Sequence, residues 1–209
     1  MHLVHDRCGS GPQLVLIHGI GSRRGVWDPV VDQLASERET IALDLPGFGD
    51  SAPLPAGTEP TVDALVDAVV AFLSGAGIEQ PHVAGNSLGG GIALELARRG
   101  VVRSVTALSP IGFWSPLERR YGAVLLRLSR LFAEHAQPQV MRLAGSPAGR
   151  RVAFGMLLGH PERRTAAAAR ADVAALAAAP GFWPTLPRIR RYAFRDGEQL
   201  RVPVTIGWG

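Results

Sequence analysis

The chain has 209 residues, 46% hydrophobic and 19% charged, with a mean hydropathy of +0.12. That composition can bury a substantial core and excludes a disordered chain. All 22 basic residues are arginines, set against 18 acids for a net charge of +4, and their scatter in pairs from Arg23-Arg24 to Arg190-Arg191 reads as arginine used in place of lysine, not as a nucleic-acid stripe.

No apolar run reaches the roughly 18 residues of a bilayer span. The start, Met1 to Arg7, lacks a basic segment followed by an apolar one, so the sequence reads as cytoplasmic, without a signal peptide or a membrane span. Cys8 is the single cysteine. It admits no internal disulfide and is expected to be an ordinary buried residue.

Apolar runs and helical patterns alternate along the first half, as in an α/β sheet with crossover helices. Gln13–Ile17 is a short apolar run ending at His18-Gly19 and reads as a buried strand. Trp27 to Ser36 carries Trp27, Val30, Val31 and Leu34 at helical spacing. Thr40–Leu43 is the next strand, closed by Asp44-Leu45-Pro46-Gly47-Phe48-Gly49. Thr61 to Ser74 is a helix with Val62, Leu65, Val66, Val69 and Leu73 on one face. His82–Ala84 is a strand, Leu88 to about Arg99 a helix, and Val102–Leu108 another strand.

From Phe113 to Leu200 the pattern is helical only. Leu117 to Glu134 predicts one helix. Pro161 to Ala179 predicts another, with proline at a first helical position and Pro180 as the stop. A strand pattern returns at Val202–Ile206, after an Asp196-Gly197 turn. The layout is a core over residues 1–112, a helical cap over 113–200, and a further core strand over 201–209.

The chemistry is concentrated at Gly85-Asn86-Ser87-Leu88-Gly89, a G-x-S-x-G motif between an apparent strand and a helix. A serine there stands on a sharp strained turn with its Oγ clear at the strand end. Residues two positions to either side must be glycine to avoid collision, and the following helix start offers free backbone N–H groups. Upstream, His18-Gly19-Ile20-Gly21 also follows a strand. The Ile20 N–H would join that of Leu88 as the pair of donors to a developing oxyanion. His18 itself is read as holding this loop, because in this kind of site the base follows the nucleophile and the acid in chain order.

These three segments, His18-Gly19-Ile20-Gly21, Asp44 to Ser51 and Gly85-Asn86-Ser87-Leu88-Gly89-Gly90, resemble the α/β-hydrolase superfamily in order and spacing. The resemblance implies a mostly parallel sheet with crossover helices, a helical cap, and a serine nucleophile at Ser87. The ending Val202 to Gly209 resembles the family's penultimate strand. On that reading the final strand and helix are missing, and the acid and the catalytic histidine lie beyond residue 209. The chain as given would then be nearly inactive, with an unpaired apolar edge and poor solubility.

The resemblance also assigns Asp44 to shaping the site, and puts Ser109 where some relatives keep their acid. The orders Glu118…His135 and Glu134…His160 satisfy the sequence rule formally, but all four residues fall in the predicted cap. Trp27, Phe113, Trp114, Phe182 and Trp183 are candidate pocket residues. No metal pattern and no cofactor loop is present, so a small-molecule substrate is the expected partner. The reading is hydrolysis of an ester or similar acyl bond. Carbon–carbon bond hydrolysis of β-diketone-like ring-cleavage products and non-catalytic binding are the alternatives.

Overall fold

The computed structural model describes residues 2–208. Met1 and Gly209, the outer ends of the two predicted core segments, lie outside them. Fourteen regular elements follow in chain order among the described residues: β1 (His5–Cys8), β2 (Gln13–Ile17), α1 (Asp28–Ala35), β3 (Glu39–Leu43), α2 (Val62–Gly75), β4 (His82–Asn86), α3 (Leu88–Arg98), β5 (Ser104–Leu108), α4 (Pro116–His135), α5 (Gln137–Leu143), α6 (Pro147–Phe154), α7 (Ala166–Ala178), α8 (Phe182–Ile189) and β6 (Val204–Gly207).

The six strands form one sheet in the order β1-β3-β2-β4-β5-β6. All neighbours are parallel except β1, which runs antiparallel to β3 at the edge. The central strands are apolar because both faces are covered: Val15, Leu16, Ile17, Ile41 and Leu43 are fully buried. One half of α2 supplies Leu65, Val66 and Val69 to the core, and Thr61 caps its start by accepting from the Ala64 N–H.

The chain divides into two compact units, one comprising residues up to 114 and from 180 on, the other Ser115–Ala179. The predicted segment 113–200 therefore contains the second unit entire, while its last part, including α8, belongs with the sheet. Tyr192 and Phe194 fasten that last part. The Tyr192 hydroxyl donates to buried Glu95 of α3 at 2.8 Å, and the Phe194 N–H donates to the Gly112 carbonyl at 3.1 Å.

Two sequence expectations are corrected here. The predicted helix from Pro161 to Ala179 is broken: Pro161–Arg163 is a 3₁₀ turn, and α7 begins only at Ala166. Thr165 is extended and accepts from the Ala168 N–H, so a capping residue restarts the helix. Cys8 is exposed, not buried. It lies on the edge strand, where only one side of the backbone has a partner. Among the described residues no helix is long and apolar enough to cross a membrane.

Candidate active site

The chain leaves β2 toward β3 on one side and leaves β4 toward β5 on the other. The loops at the carboxyl ends of β2 and β4 thus part in opposite directions, which opens a crevice at a topological switch point. The register pairs Ile17 with Gly85. Two residues further along each strand come Gly19 and Ser87, level with one another. A Cβ on Gly19 would stand 3.3 Å from the Ser87 Cβ and 3.8 Å from its Oγ.

Ser87 occupies the turn between β4 and α3 with φ +55° and ψ −111°. A non-glycine residue in this region is strained by about 1–3 kcal/mol and is held there by its surroundings. Its N–H donates to the Leu108 carbonyl at 2.9 Å. The glycines around it are required by space. A Cβ on Gly85 would collide with the Gly89 carbonyl, and one on Gly89 with the Ile17 carbonyl. The first turn of α3 therefore lies directly on β4 and β2.

The orientation of two backbone donors follows from their carbonyl partners. The Ser87 carbonyl accepts from the N–H groups of Gly91 and Ile111, each at 3.1 Å. In a trans peptide the N–H points opposite the C=O, so the Leu88 N–H faces away from both. The Gly19 carbonyl accepts from the Ser22 N–H at 3.2 Å and from His18 Nδ1 at 2.7 Å. That fixes the Ile20 N–H in the same way. Among the described residues, neither the Leu88 nor the Ile20 N–H enters a turn or loop hydrogen bond.

His18 is fully buried, and its tautomer follows from its partners. The Leu45 N–H donates to Nε2 at 2.9 Å, so Nε2 is the acceptor and Nδ1 carries the proton given to the Gly19 carbonyl. Burial lowers its pKa, against smaller raising effects of the Gly19 hydrogen bond and the Asp44 charge. With both nitrogens engaged and the ring neutral, His18 has no site left to take a proton from Ser87.

Asp44, at the end of β3, is fully buried and fully occupied. Its carboxylate accepts from the Arg24 N–H at 2.6 Å, the Asp50 N–H at 2.9 Å and the Arg24 guanidinium. Arg24 also pairs with Asp6 and Asp50 at 2.8 Å each. Burial alone would lower the Arg24 pKa, but the hydrogen bonds to Asp50, Asp6 and Asp44 outweigh it and hold it above its ordinary value. Gly49 has φ +54°, and a side chain there would strike the Asp44 carboxylate. Gly21, at φ +72°, turns the loop after β2.

The aromatic candidates fall into separate groups. Trp27 is buried in a core cluster with Leu14, Leu16 and Ala42. Phe113 packs on Phe194 and Trp208, and Phe182 on Trp183. Trp114 is partly buried at the end of its unit. Ser109 has φ +43° and gives its N–H to the Gly207 carbonyl at 2.7 Å. Two contributors had no signal in the sequence. Ile111 acts through its backbone N–H, and Arg24 meets its three acids only in the fold. Among the described residues no group of three or more His, Cys, Asp and Glu side chains gathers as a metal site.

A family model of the α/β hydrolase fold matches residues 12–180, and the chain belongs to that family. Over 120 residues, 56% of this chain, it is 42% identical to the dihydrolipoyllysine-residue acetyltransferase component of an acetoin cleaving system from Cupriavidus necator, covering 32% of that protein. It is 45% identical over 92 residues, 44% of this chain, to a pimeloyl-[acyl-carrier protein] methyl ester esterase from Aeromonas hydrophila, covering 34% of it. A 2-hydroxymuconate semialdehyde hydrolase from a Pseudomonas species is 40% identical over 128 residues, 58% of this chain and 44% of that protein. The matched stretch spans about a third of the length of the first two. A hydrolase structure from Pseudomonas aeruginosa covers 98% of this chain and 74% of its own, with a TM-score of 0.72 at 20% identity, a likeness of fold.

Proposed function

We propose that the chain is the nucleophile-bearing part of a serine hydrolase acting on an ester or similar acyl bond of a small, mainly apolar substrate. The observation that carries this reading is Ser87 on its strained turn, with the Gly19 backbone beside it and the start of α3 behind it. The Ser87 Oγ attacks the acyl carbon and a histidine takes its proton. The Leu88 and Ile20 N–H groups hold the oxyanion, each such donor being worth about 3 kcal/mol in the transition state. The histidine then protonates the leaving alcohol, and water hydrolyses the acyl-enzyme by the reverse sequence.

On this reading the base is not His18, His82, His5 or His2, the histidines that share the sheet unit with Ser87; His2 is exposed beside the His5 ring. His18 is spent on the Gly19 loop. His82 sits at the opposite end of β4, about 16 Å away at 3.3 Å per residue, and bonds to Ser104. His5 lies on the far edge strand against Phe72, bonded to the Leu3 carbonyl. On this proposal the histidine and its aspartate come from chain beyond residue 209, and segment 115–179 sets substrate preference.

A second reading is carbon–carbon bond hydrolysis. It is favoured by the likeness to the semialdehyde hydrolase and by Gly85-Asn86-Ser87-Leu88-Gly89-Gly90. A panel of p-nitrophenyl esters and a vinylogous diketone, assayed on the full-length protein with and without Ser87→Ala, separates the two. Ester turnover lost in the variant supports the first reading, and diketone cleavage alone supports the second. Binding of both with no turnover of either leaves a non-catalytic binder on the same fold.

A further inference from the structure

The second unit is charged unlike the rest of the chain. Residues 115–179 hold ten arginines and four acids, a net +6, within a chain whose total is only +4. The other unit is therefore net −2. All four acids of the second unit are already engaged inside it. Glu118 closes the capping box with Ser115, Glu134 pairs with Arg130, Glu162 with Arg151, and Asp172 with Arg164. The four acids thus leave a net excess of six arginine charges within the unit.

Helix α4 of this unit presents an apolar stripe to solvent. Leu117, Tyr121, Val124, Leu128, Leu131 and Phe132 are between 40% and 76% exposed. The first five recur at alternating spacings of four and three, one face of a helix. The opposite face buries Ala123, Arg130 and Ala133, so the helix already packs by its other side. Arg120 and Arg127 are exposed and lie along one margin of the stripe, and among the described residues neither takes part in an ion pair. Elsewhere in the same unit, Val152 and Met156 are 77% and 68% exposed.

We infer that the exposed face of α4 docks on an anionic lipid surface, with the apolar stripe entering the headgroup boundary and Arg120 and Arg127 meeting the lipid phosphates. A helix with an apolar face and arginines along one margin on a net-positive body suits that interface. A second copy of the chain suits it less well. Two such units would bring net charges of +6 together, and antiparallel pairing of two α4 helices would set Arg127, near the helix middle, beside its own copy.

Sedimentation of the protein with vesicles of phosphatidylglycerol and phosphatidylcholine in equal parts, and with phosphatidylcholine alone, tests the inference independently of the chemistry at Ser87. Binding to the mixed vesicles should be at least about tenfold tighter than to phosphatidylcholine and should weaken as salt is raised. Arg120→Gln with Arg127→Gln should weaken it by about fivefold per arginine removed. Leu128→Gln with Phe132→Gln should weaken it at least about tenfold with the helical circular dichroism unchanged. Leu117→Gln with Tyr121→Gln repeats the test at the other end of the stripe, should the first pair misfold. Absence of binding, equal binding to both vesicles, or unchanged binding by folded stripe variants overturns the inference. So does a dimer that the stripe variants dissolve and that binds no vesicle.

Discussion

Ser87 and His18 show how far single residues are committed by their neighbours. Ser87→Ala in the full-length protein should abolish turnover, a loss on the order of 10⁶ in kcat for a serine hydrolase. Steady-state assays on the preferred ester check this, and retention of most activity would move the chemistry elsewhere. His18 makes a separate prediction through pH. Its pKa is lowered in the fold, chiefly by burial, and that of His82 is lowered too, by burial and by Arg38 and Arg103. Between the folded values and the ordinary 6.5 the unfolded chain binds more protons. Stability is therefore complete above about pH 6.5 and declines as pH falls below it. Urea midpoints at pH 7.5 and 5.5 should show the decline, and His18→Gln should flatten it. A midpoint equal at the two values would contradict a buried neutral His18.

At the scale of elements, the first turn of α3 lies backbone against backbone on β2 and β4. Gly89→Ala places a methyl inside the Ile17 carbonyl, backbone against backbone, where no side chain can yield. It should cost about 3 kcal/mol or more, beyond ordinary overpacking, read as a shift in the urea midpoint. A loss below about 1 kcal/mol would mean that α3 can lift from the sheet. At the other end of α3, Tyr192 and Arg98 share the buried Glu95 carboxylate, with Arg98 Nε at 2.6 Å. Burial, and then the bond to Glu95, raise the Tyr192 pKa, so its hydroxyl remains a donor. Tyr192→Phe should cost about 1.5 kcal/mol, as for a hydrogen bond to a charged group. Equilibrium unfolding would detect that loss, and an unchanged midpoint would make the contact incidental.

At the scale of the whole molecule, the sheet order places Ser87 at the switch point between β2 and β4, and the segment 115–179 comes from one connection, between β5 and β6. Exchange of 115–179 for the corresponding segment of a relative with another substrate should change kcat/KM ratios between substrates more than it changes the Ser87 acylation chemistry. A panel of acyl chain lengths measures this. Preference unchanged across the panel would remove the segment from specificity.

The Ser87 turn and the glycines around it were legible in the sequence because their constraints are local. A strand, a turn too tight for Cβ atoms and a helix start fall within seven residues, and apolar periodicity marks the elements on either side. The break at Thr165 was less visible, since alanine favours helix throughout and one capping hydroxyl decides where α7 begins. Other features depend on residues far apart in the chain. The register of Ile17 with Gly85 brings Gly19 to Ser87, Leu45 sets the tautomer of His18, and Arg24 gathers Asp6, Asp44 and Asp50. The Ile111 N–H that orients the Leu88 peptide carries no residue signature, because any residue but proline has one. The sequence by itself determined where a strand turns sharply into a helix at Ser87 and where glycine is compulsory, both being matters of local sterics. Only the tertiary structure decided which way the Leu88 and Ile20 peptides turn, because hydrogen bonds between distant segments set the direction of a peptide plane.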